Sequence, residues 1–281
     1  MTEEQFTLSR KLTDIDPEFA EIIKRIPPRT ESQLPPDWLH SEIIERHEVL
    51  SHATIEKGMN VLEVGSGQHA IATVPLAHMV GDTGRVTAVE IERWKYFDEV
   101  MRATGLGKRV IPLASDATQL PFPFECFDLA VIVHGIRSMR SEKTITRIIS
   151  EMLRVSPRVF LTESLPIAKT RAQEAHLEMY NLREEIFEAL LGAKDDIHYL
   201  PLGKLADLVE RAGGRVIESK ILDVGFPHYL AFIPREYVER IRDEEKRESL
   251  LRRWQVAHEK LLEHSEEHPP VAIVNAVRGE E

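Results

Sequence analysis

Residues 61–67 read VLEVGSG, a run of apolar and β-branched residues that ends in two glycines. A run of this kind predicts a buried parallel strand that leads into a tight turn. Gly65 and Gly67 allow the main chain to turn sharply and to approach a ligand closely, because neither carries a side chain. The segment therefore predicts the first strand of an α/β sheet, with a ligand-binding loop at its C-terminal end.

Strands and helices are predicted to alternate after this loop. Further strands are predicted at 85–91, 110–113, 127–134 and 158–163, with helices between them at about 70–80, 94–104 and 142–154. Alternation at this spacing indicates a parallel sheet covered by helices on both faces. After residue 166 the alternation breaks. The remaining predicted elements are helices at 168–192, 202–212 and 236–264 and strands at 216–224 and 271–277.

The predicted domain organisation is a helical extension, residues 1–58, followed by one domain over residues 59–281. In the extension, helices are predicted at 17–24 and 38–52. Two helical insertions, at about 168–200 and 226–268, carry apolar stripes that must be buried on something. We expect them to form a cap over one end of the sheet, although the second could instead be a dimerisation arm.

A carboxylate ends the second predicted strand, where residues 87–90 read TAVE. At that position Glu90 can accept two hydrogen bonds from vicinal ribose hydroxyls. The order strand, glycine loop, helix, strand and acid therefore predicts a nucleoside site. The alternative is that Gly65 and Gly67 only make a turn and that Glu90 is solvated.

Two further segments extend the pattern, SDATQLPF at 115–122 and FDLAVIVHGI at 127–136. Together with VLEVGSG and VTAVE they resemble the class I methyltransferases that use S-adenosylmethionine, in their small-molecule branch. The resemblance covers about residues 59–163 well and residues 202–278 loosely. It implies an α/β fold with a Rossmann-like, seven-stranded, mostly parallel sheet and helices on both faces. The function it implies is methyl transfer from S-adenosylmethionine to a small-molecule acceptor by in-line displacement.

The resemblance also implies roles for the residues of the first two segments. Glu63, Gly65 and Gly67 would form the loop beside the methionine part of the cofactor. Glu90 would hold the ribose, and Ile91 would lie against the adenine.

Roles follow in the same way for the third and fourth segments. Asp116 and Ala117 would contact the adenine, and His134 would lie beside the sulfonium. Ligands of open α/β sheets bind outside the carboxyl ends of the strands, so His134 and Glu163, which end the fourth and fifth strands, are the candidate catalytic residues. A general base is needed only if the acceptor must lose a proton. The alternative for both His134 and Glu163 is a packing or ion-pairing role.

One position departs from the family pattern E-x-G-x-G-x-G, because His69 stands where a third glycine is common. The G-x-G-x-x-G pattern of dinucleotide dehydrogenases also fails, because its last position is Ala70. A dinucleotide needs close approach of its pyrophosphate at this pattern, and S-adenosylmethionine has no pyrophosphate. The departure therefore argues against a dehydrogenase.

Composition limits the partners. The 281 residues carry a formal net charge of −11, and their basic residues are interleaved with acids, which argues against nucleic acid as a partner. No apolar run is long enough to span a bilayer. The single cysteine, Cys126, cannot form an internal disulfide, which favours the cytoplasm. A homodimer stays open.

No metal is predicted from the sequence. His40 and His47 lie one heptad apart and can share a helix face, but no third ligand is spaced to join them. Three other functions stay open: a protein methyltransferase, a tRNA methyltransferase, and a protein that binds S-adenosylmethionine without turnover.

Overall fold

The computed structural model describes residues 15–28, 38–92, 96–139, 141–192, 200–226, 233–265 and 267–279. Within these ranges one sheet is built from the strands β1 Asn60–Val64, β2 Arg85–Glu90, β3 Val110–Ala114, β4 Leu129–Val133, β5 Arg158–Ser164, β6 Gly214–Leu222 and β7 Val271–Arg278. The helices are α1 Pro17–Lys24, α2 Trp38–Leu50, α3 Thr73–Met79, α4 Phe97–Thr104, α5 Glu142–Val155, α6 Arg171–Leu191, α7 Leu202–Arg211, α8 Arg235–Glu239 and α9 Glu244–His264. Parts of the predicted extension (1–14, 29–37) and of the predicted insertions (193–199, 227–232, 266) lie outside the described residues.

The strand order is β3-β2-β1-β4-β5-β7-β6. Strands β1 to β5 pair in parallel, and β7 runs antiparallel to both of its neighbours, β5 and β6. The chain moves outward from β1 to β3 and then returns to the other side of β1 as β4. A crevice forms at such a switch point, outside the carboxyl ends of the strands. The predicted fold class, a mostly parallel seven-stranded sheet with helices, is confirmed.

The two faces of the sheet bury separate cores, because successive strand residues point to opposite sides. Val61 of β1 packs on one face with apolar residues from the helices α1 to α4. Leu62 packs on the other face with residues from α5 and α7. Since α1 and α2 supply part of the first core, the N-terminal helices belong to the same packed body as the sheet.

The rings of Phe19, His47 and His78 fasten α1 to the rest of the body. The ring of Phe19 stacks on His47 at 4.4 Å between centroids and on His78 at 4.9 Å. Asp16 caps the start of the helix and also lies 3.0 Å from the His78 imidazole. These contacts connect α1 to both α2 and α3.

A third core joins the two insertions. Met179 and Ile186 of α6 pack against Leu250 and Trp254 of α9, away from the sheet. The helix predicted at 236–264 is interrupted: α8 ends at Glu239, and α9 begins after Asp243, whose side chain accepts from the amide of Lys246. No helix in the described ranges is long and apolar enough to cross a bilayer.

Candidate active site

The loop after β1 turns through two glycines with left-handed backbone. Gly65 has φ +76° and Gly67 has φ +65°. Residues other than glycine rarely adopt this region of φ. A Cβ placed at either position would meet no protein atom within 4 Å, so open space lies beside the loop. The amides of Gly65 and Ser66 donate to the carbonyl of Val89, which fastens the loop to β2.

The predicted ribose acid is in direct contact with this loop. The Glu90 carboxylate accepts a hydrogen bond from the amide of Gly67 (3.1 Å) and another from the amide of Ile91 (2.8 Å). Each carboxylate oxygen has a further lone pair, which leaves both able to accept from a ligand. The Ile91 side chain is 71% exposed, although it is apolar and lies beside the acid.

Asp116 and Ala117 lie one strand further along the same edge. Asp116 follows β3, and its Oδ1 accepts from the amide and the hydroxyl of Thr118, each at 2.8 Å. These bonds hold the pKa of the exposed Asp116 carboxyl below its usual range. The amide of Ser115 donates to the carbonyl of Glu90, so the two predicted cofactor acids lie on directly paired strands.

Glu63 supports the loop from its buried position in the preceding strand. It is buried in β1, and its Oε2 accepts a 2.6 Å hydrogen bond from the hydroxyl of Thr73 in α3. Burial raises the pKa of the Glu63 carboxyl to about 8, the bond from Thr73 opposes the rise, and the nearby Glu90 carboxylate adds to it. Glu63 therefore acts from below the loop, connecting β1 to the following helix.

His134 directly follows β4 and lies in a buried polar cluster. Its Nδ1 lies 3.1 Å from the Ser164 hydroxyl and 3.7 Å from Oε1 of Glu163, and its Nε2 lies 3.4 Å from Oε1 of Glu45. The residue has φ +53°. Histidine tolerates this left-handed conformation better than bulkier residues do. The two predicted catalytic residues are thus close together at the carboxyl ends of neighbouring strands.

Glu163 holds the backbone around it. Its Oε2 accepts from the amide of Arg137 (3.0 Å), and its Oε1 accepts from the amide of Ser164 (2.9 Å). The Arg137 guanidinium lies 3.7 Å away and also donates to the Ser164 hydroxyl. A carboxylate engaged in this way positions the turn after β4. A direct catalytic role for Glu163 stays a prediction.

The sequence reasoning missed the charged residues of α2 that complete this cluster. Glu42, Glu45 and Arg46 are each almost fully buried. Arg46 contacts both carboxylates, and burial lowers the pKa of its guanidinium to about 10 while Glu42 opposes that shift. Charged residues that alternate with apolar ones normally indicate a solvated helix face. Only the burial of α2 on nearly every side reveals the different role.

Side chains of α6 pack against the polar cluster. Buried His176 and Tyr180 face it, with the Arg137 guanidinium 5.5 Å from the Tyr180 ring centre. Burial lowers the pKa of His176 to about 3, with the positive charge of Arg137 adding to the shift. The His176 ring also stacks at 6.4 Å on His268, which precedes β7 and was not predicted from the sequence. The cluster is therefore built by α2, α6, the ends of β4 and β5, and the entry to β7.

His69, which replaces the family's third glycine, packs away from this cluster. Its ring stacks on Tyr96 at 5.3 Å and meets the edge of Trp38 at 5.2 Å. The larger side chain is accommodated by aromatic neighbours on α2 and at the start of α4.

A glycine loop after β1, an acid ending β2 and a sheet with one reversed strand define a class I S-adenosylmethionine-dependent methyltransferase. The residues fit the cofactor, since the left-handed glycines border open space and Glu90 presents a carboxylate beside them. The chain belongs to the ubiE/COQ5 methyltransferase family, whose profile matches residues 39–195. The predicted class and cofactor are confirmed by this membership.

Two curated relatives illustrate the similarity. The ubiquinone/menaquinone biosynthesis C-methyltransferase UbiE of Enterobacter sp. (strain 638) is 27% identical over 149 residues, which cover 52% of this chain and 59% of the relative. UbiE of Shewanella sediminis (strain HAW-EB3) is 29% identical over 124 residues, 42% of this chain and 49% of the relative. The chain thus spans about half the length of the curated relatives it matches.

Solved structures agree on the fold over a longer stretch. A cyclopropane-fatty-acyl-phospholipid synthase-like protein from Lactobacillus casei ATCC 334 superposes with a TM-score of 0.71 at 13% identity, covering 94% of this chain and all of that one. The [4+2]-cyclase SpnF superposes with a TM-score of 0.54 at 16% identity, covering 100% and 97%. At such identities the likeness concerns the fold alone.

Proposed function

We propose that this protein transfers a methyl group from S-adenosylmethionine to a small-molecule acceptor at the carboxyl edge of the sheet. The hydrogen bond from Gly67 to Glu90 carries the proposal, because it joins the glycine loop and the ribose acid in one crevice. His134 follows the strand that lies on the other side of β1 from this acid. That arrangement supports the assigned order of cofactor contacts, from Asp116 and Ala117 through Glu90 and Ile91 to the loop of Glu63, Gly65 and Gly67.

When bound, S-adenosylmethionine supplies an electrophilic methyl group. The protein has to align the acceptor, exclude water and, where the acceptor carries a proton, remove it. His134 suits the last task, because its buried imidazole is oriented by Ser164 and Glu163. We assign Glu163 the role of positioning the turn that carries Arg137.

The cap over the acceptor end is assigned mainly to α6. Gln173, His176 and Tyr180 are buried against the polar cluster, and the amide group of Gln173 donates to the carbonyl of His268. The apolar stripe of α9 packs on the outer side of α6. This packing favours a cap over a dimerisation arm, because the stripe is already covered within the chain.

The alternatives differ in what they require of the surface and the site. A tRNA acceptor calls for a basic face, and the net charge of −11 argues against it. The names of the two UbiE relatives make a carbon atom of a quinone precursor the first acceptor to test.

We place the activity in the cytoplasm on the basis of the lone Cys126, which favours a reducing compartment.

The test is transfer of labelled methyl groups from S-adenosylmethionine to a demethylated quinone precursor and to a fractionated metabolite extract. We expect label in a small organic product, and no label with His134→Asn. His264→Asn, at the C-terminal end of α9 and outside the polar cluster, is the matched control and should keep full activity. Labelled protein or tRNA in place of a small molecule, or tight cofactor binding without any labelled product, would overturn the proposal.

A further inference from the structure

Glu45, His134 and His268 converge from three distant parts of the chain. Oε1 of Glu45 lies 3.4 Å from Nε2 of His134 and 4.0 Å from Nε2 of His268. One ligand-type atom from each of the three residues lies within 4.8 Å of the others. The side chains are at most 2% exposed. Two atoms that each lie about 2.1 Å from one metal ion are at most about 4.2 Å apart, so both distances from Glu45 are within the limit for a shared ion.

The far nitrogen of each imidazole is held by a second group. Nδ1 of His268 lies 2.7 Å from the carbonyl oxygen of Pro269, which can only accept, so Nδ1 carries the proton. In the neutral ring Nε2 then presents a lone pair toward Glu45 and toward the Ser164 hydroxyl, which lies 3.5 Å away. Nδ1 of His134 lies beside the Ser164 hydroxyl and the Glu163 carboxylate. An imidazole whose far nitrogen is bound to a carbonyl or carboxylate is the usual arrangement around a bound metal.

The charges of the cluster favour a cation at this point. Among its described residues, the buried carboxylates of Glu42, Glu45 and Glu163 face the guanidinium groups of Arg46 and Arg137. Oε2 of Glu45 is paired with the Arg46 guanidinium, whereas Oε1 faces the two imidazoles and has no hydrogen-bond partner in the described part of the chain. A buried carboxylate oxygen is costly unless a donor or a metal ion compensates it.

We propose that Glu45, His134 and His268 bind a divalent first-row transition-metal ion. Two imidazole nitrogens and one carboxylate oxygen are a donor set that such ions favour. Three protein ligands leave a coordination position open. Its function rests on the proposed methyl transfer. With the ion bound, His134 would be a ligand and not the base, and the open position would hold a hydroxyl oxygen of the acceptor beside the sulfonium. The ion would favour the ionised hydroxyl, and its proton would be released to solvent as the acceptor binds.

The test is Zn²⁺ and Co²⁺ binding to the full chain after removal of metal with a chelator. We expect one Zn²⁺ per chain by calorimetry and elemental analysis, a rise in Tm, and Co²⁺ absorption bands of low coordination number. Glu45→Gln and His268→Gln should each weaken Zn²⁺ binding by at least about 100-fold. Loss of a group that is only hydrogen-bonded to a ligand already costs up to about 100-fold in affinity, and loss of a ligand should cost no less. His264→Gln, outside the cluster, should bind as the wild type does.

Further measurements separate a bound metal from a charge effect and from a bound proton. Glu42→Gln removes one buried charge and no ligand, so an equal loss of Zn²⁺ binding in this variant would show a mere charge effect and overturn the site. Absence of Zn²⁺ uptake, with ¹⁵N shifts of an imidazolium at His134 or His268, would also overturn it, because a proton would then fill the position. Circular dichroism checks that each variant folds. Binding of S-adenosylmethionine is measured on the same samples, so the site can fail while the proposed function stands, and the reverse.

Discussion

The amide of Gly67 donates a hydrogen bond to Oε2 of Glu90 over 3.1 Å. The loop that follows β1 and the acid that ends β2 are therefore one structural unit. A change at either residue should affect both the position of the loop and the affinity for the cofactor.

Comparison of two ligands on one Glu90 variant should separate ribose binding from loop support. Glu90→Ala removes a charged acceptor, and such bonds contribute about 1.5–3 kcal/mol, so S-adenosylmethionine should bind at least about tenfold more weakly. The 2′-deoxy analogue should lose less, because it makes one ribose hydrogen bond fewer. Glu92→Ala, an exposed neighbour, is the control. Calorimetry that finds equal losses for both ligands would contradict the assignment of Glu90 to the ribose.

Gly65 offers a prediction with a closely matched control. Gly65→Val places a side chain in the open space beside the loop and should weaken cofactor binding at least about tenfold, or about 1.4 kcal/mol. Gly192 has a similar φ of +68° and the same open surroundings, but it ends α6. Both valine variants should lose stability by at least about 1–2 kcal/mol from backbone strain. Unimpaired cofactor binding by Gly65→Val would show that the cofactor lies elsewhere.

The raised pKa of Glu63 predicts a pH-dependent stability. In the unfolded chain this carboxyl ionises near 4.5, whereas in the folded protein it keeps its proton until about pH 8. Between these values the folded state binds more protons, so stability falls as pH rises, by up to about 1.36 kcal/mol per pH unit. Glu63→Gln cannot ionise and should show a flatter profile, with the gain over wild type largest above pH 8.

The control for this profile has the opposite sign. Bonds from Arg154 hold the pKa of Glu151 below its usual range, so its contribution is present above pH 4.5 and is lost on acidification. Glu151→Gln should therefore lower stability at neutral pH and differ least from wild type in acid. Denaturant unfolding at several pH values measures both variants. Parallel profiles for wild type and Glu63→Gln would rule out a buried, protonated Glu63.

Trp254 tests whether the proposed cap, α6 packed on α8 and α9, folds as its own unit. Its indole is buried in the third core and donates a 2.8 Å hydrogen bond to the carbonyl of Ile233. Trp254→Ala should cost about 3–5 kcal/mol locally and speed amide hydrogen exchange in α6 and α9, with the sheet unaffected. Cofactor affinity should stay within about twofold, by the additivity of distant sites. Val256→Ala, half exposed on the same helix, is the control, and faster exchange in β1 and β4 would contradict the prediction.

The cofactor half of the site could be predicted from sequence because its parts are local. The strand, the two glycines and the acid at Glu90 are each recognisable within a few residues, and parallel pairing brings them together. His134 and Glu163 of the polar cluster were predicted as strand-end residues, but the partners that α2 and the entry to β7 supply were not predictable in this way. Glu45 and His268 lie at opposite ends of the chain, and nothing in their neighbourhoods distinguishes them from solvated residues.

The helical part shows the same limit on a smaller scale. The charged stretch 236–264 keeps its helical spacing throughout, but Asp243 caps a new helix and separates α8 from α9. The break between the two helices is caused by a side chain that binds backbone amides. The spacing of apolar residues carries no signal of such a break. Strand β6 lies two residues earlier than predicted, because its edge position leaves alternate residues exposed and its apolar pattern weak.

The place of β7 in the sheet has a consequence for how the chain folds. This strand lies between β5 and β6, yet it is made after both, and residues 223–270 separate β6 from it. Until β7 emerges during synthesis, β5 presents an unpaired edge and β6 has no neighbour to join. Unpaired edges of this kind recruit other chains, and closing a long loop slows folding. The same strand follows closely after His268, so the polar cluster is complete only once β7 has paired with β5.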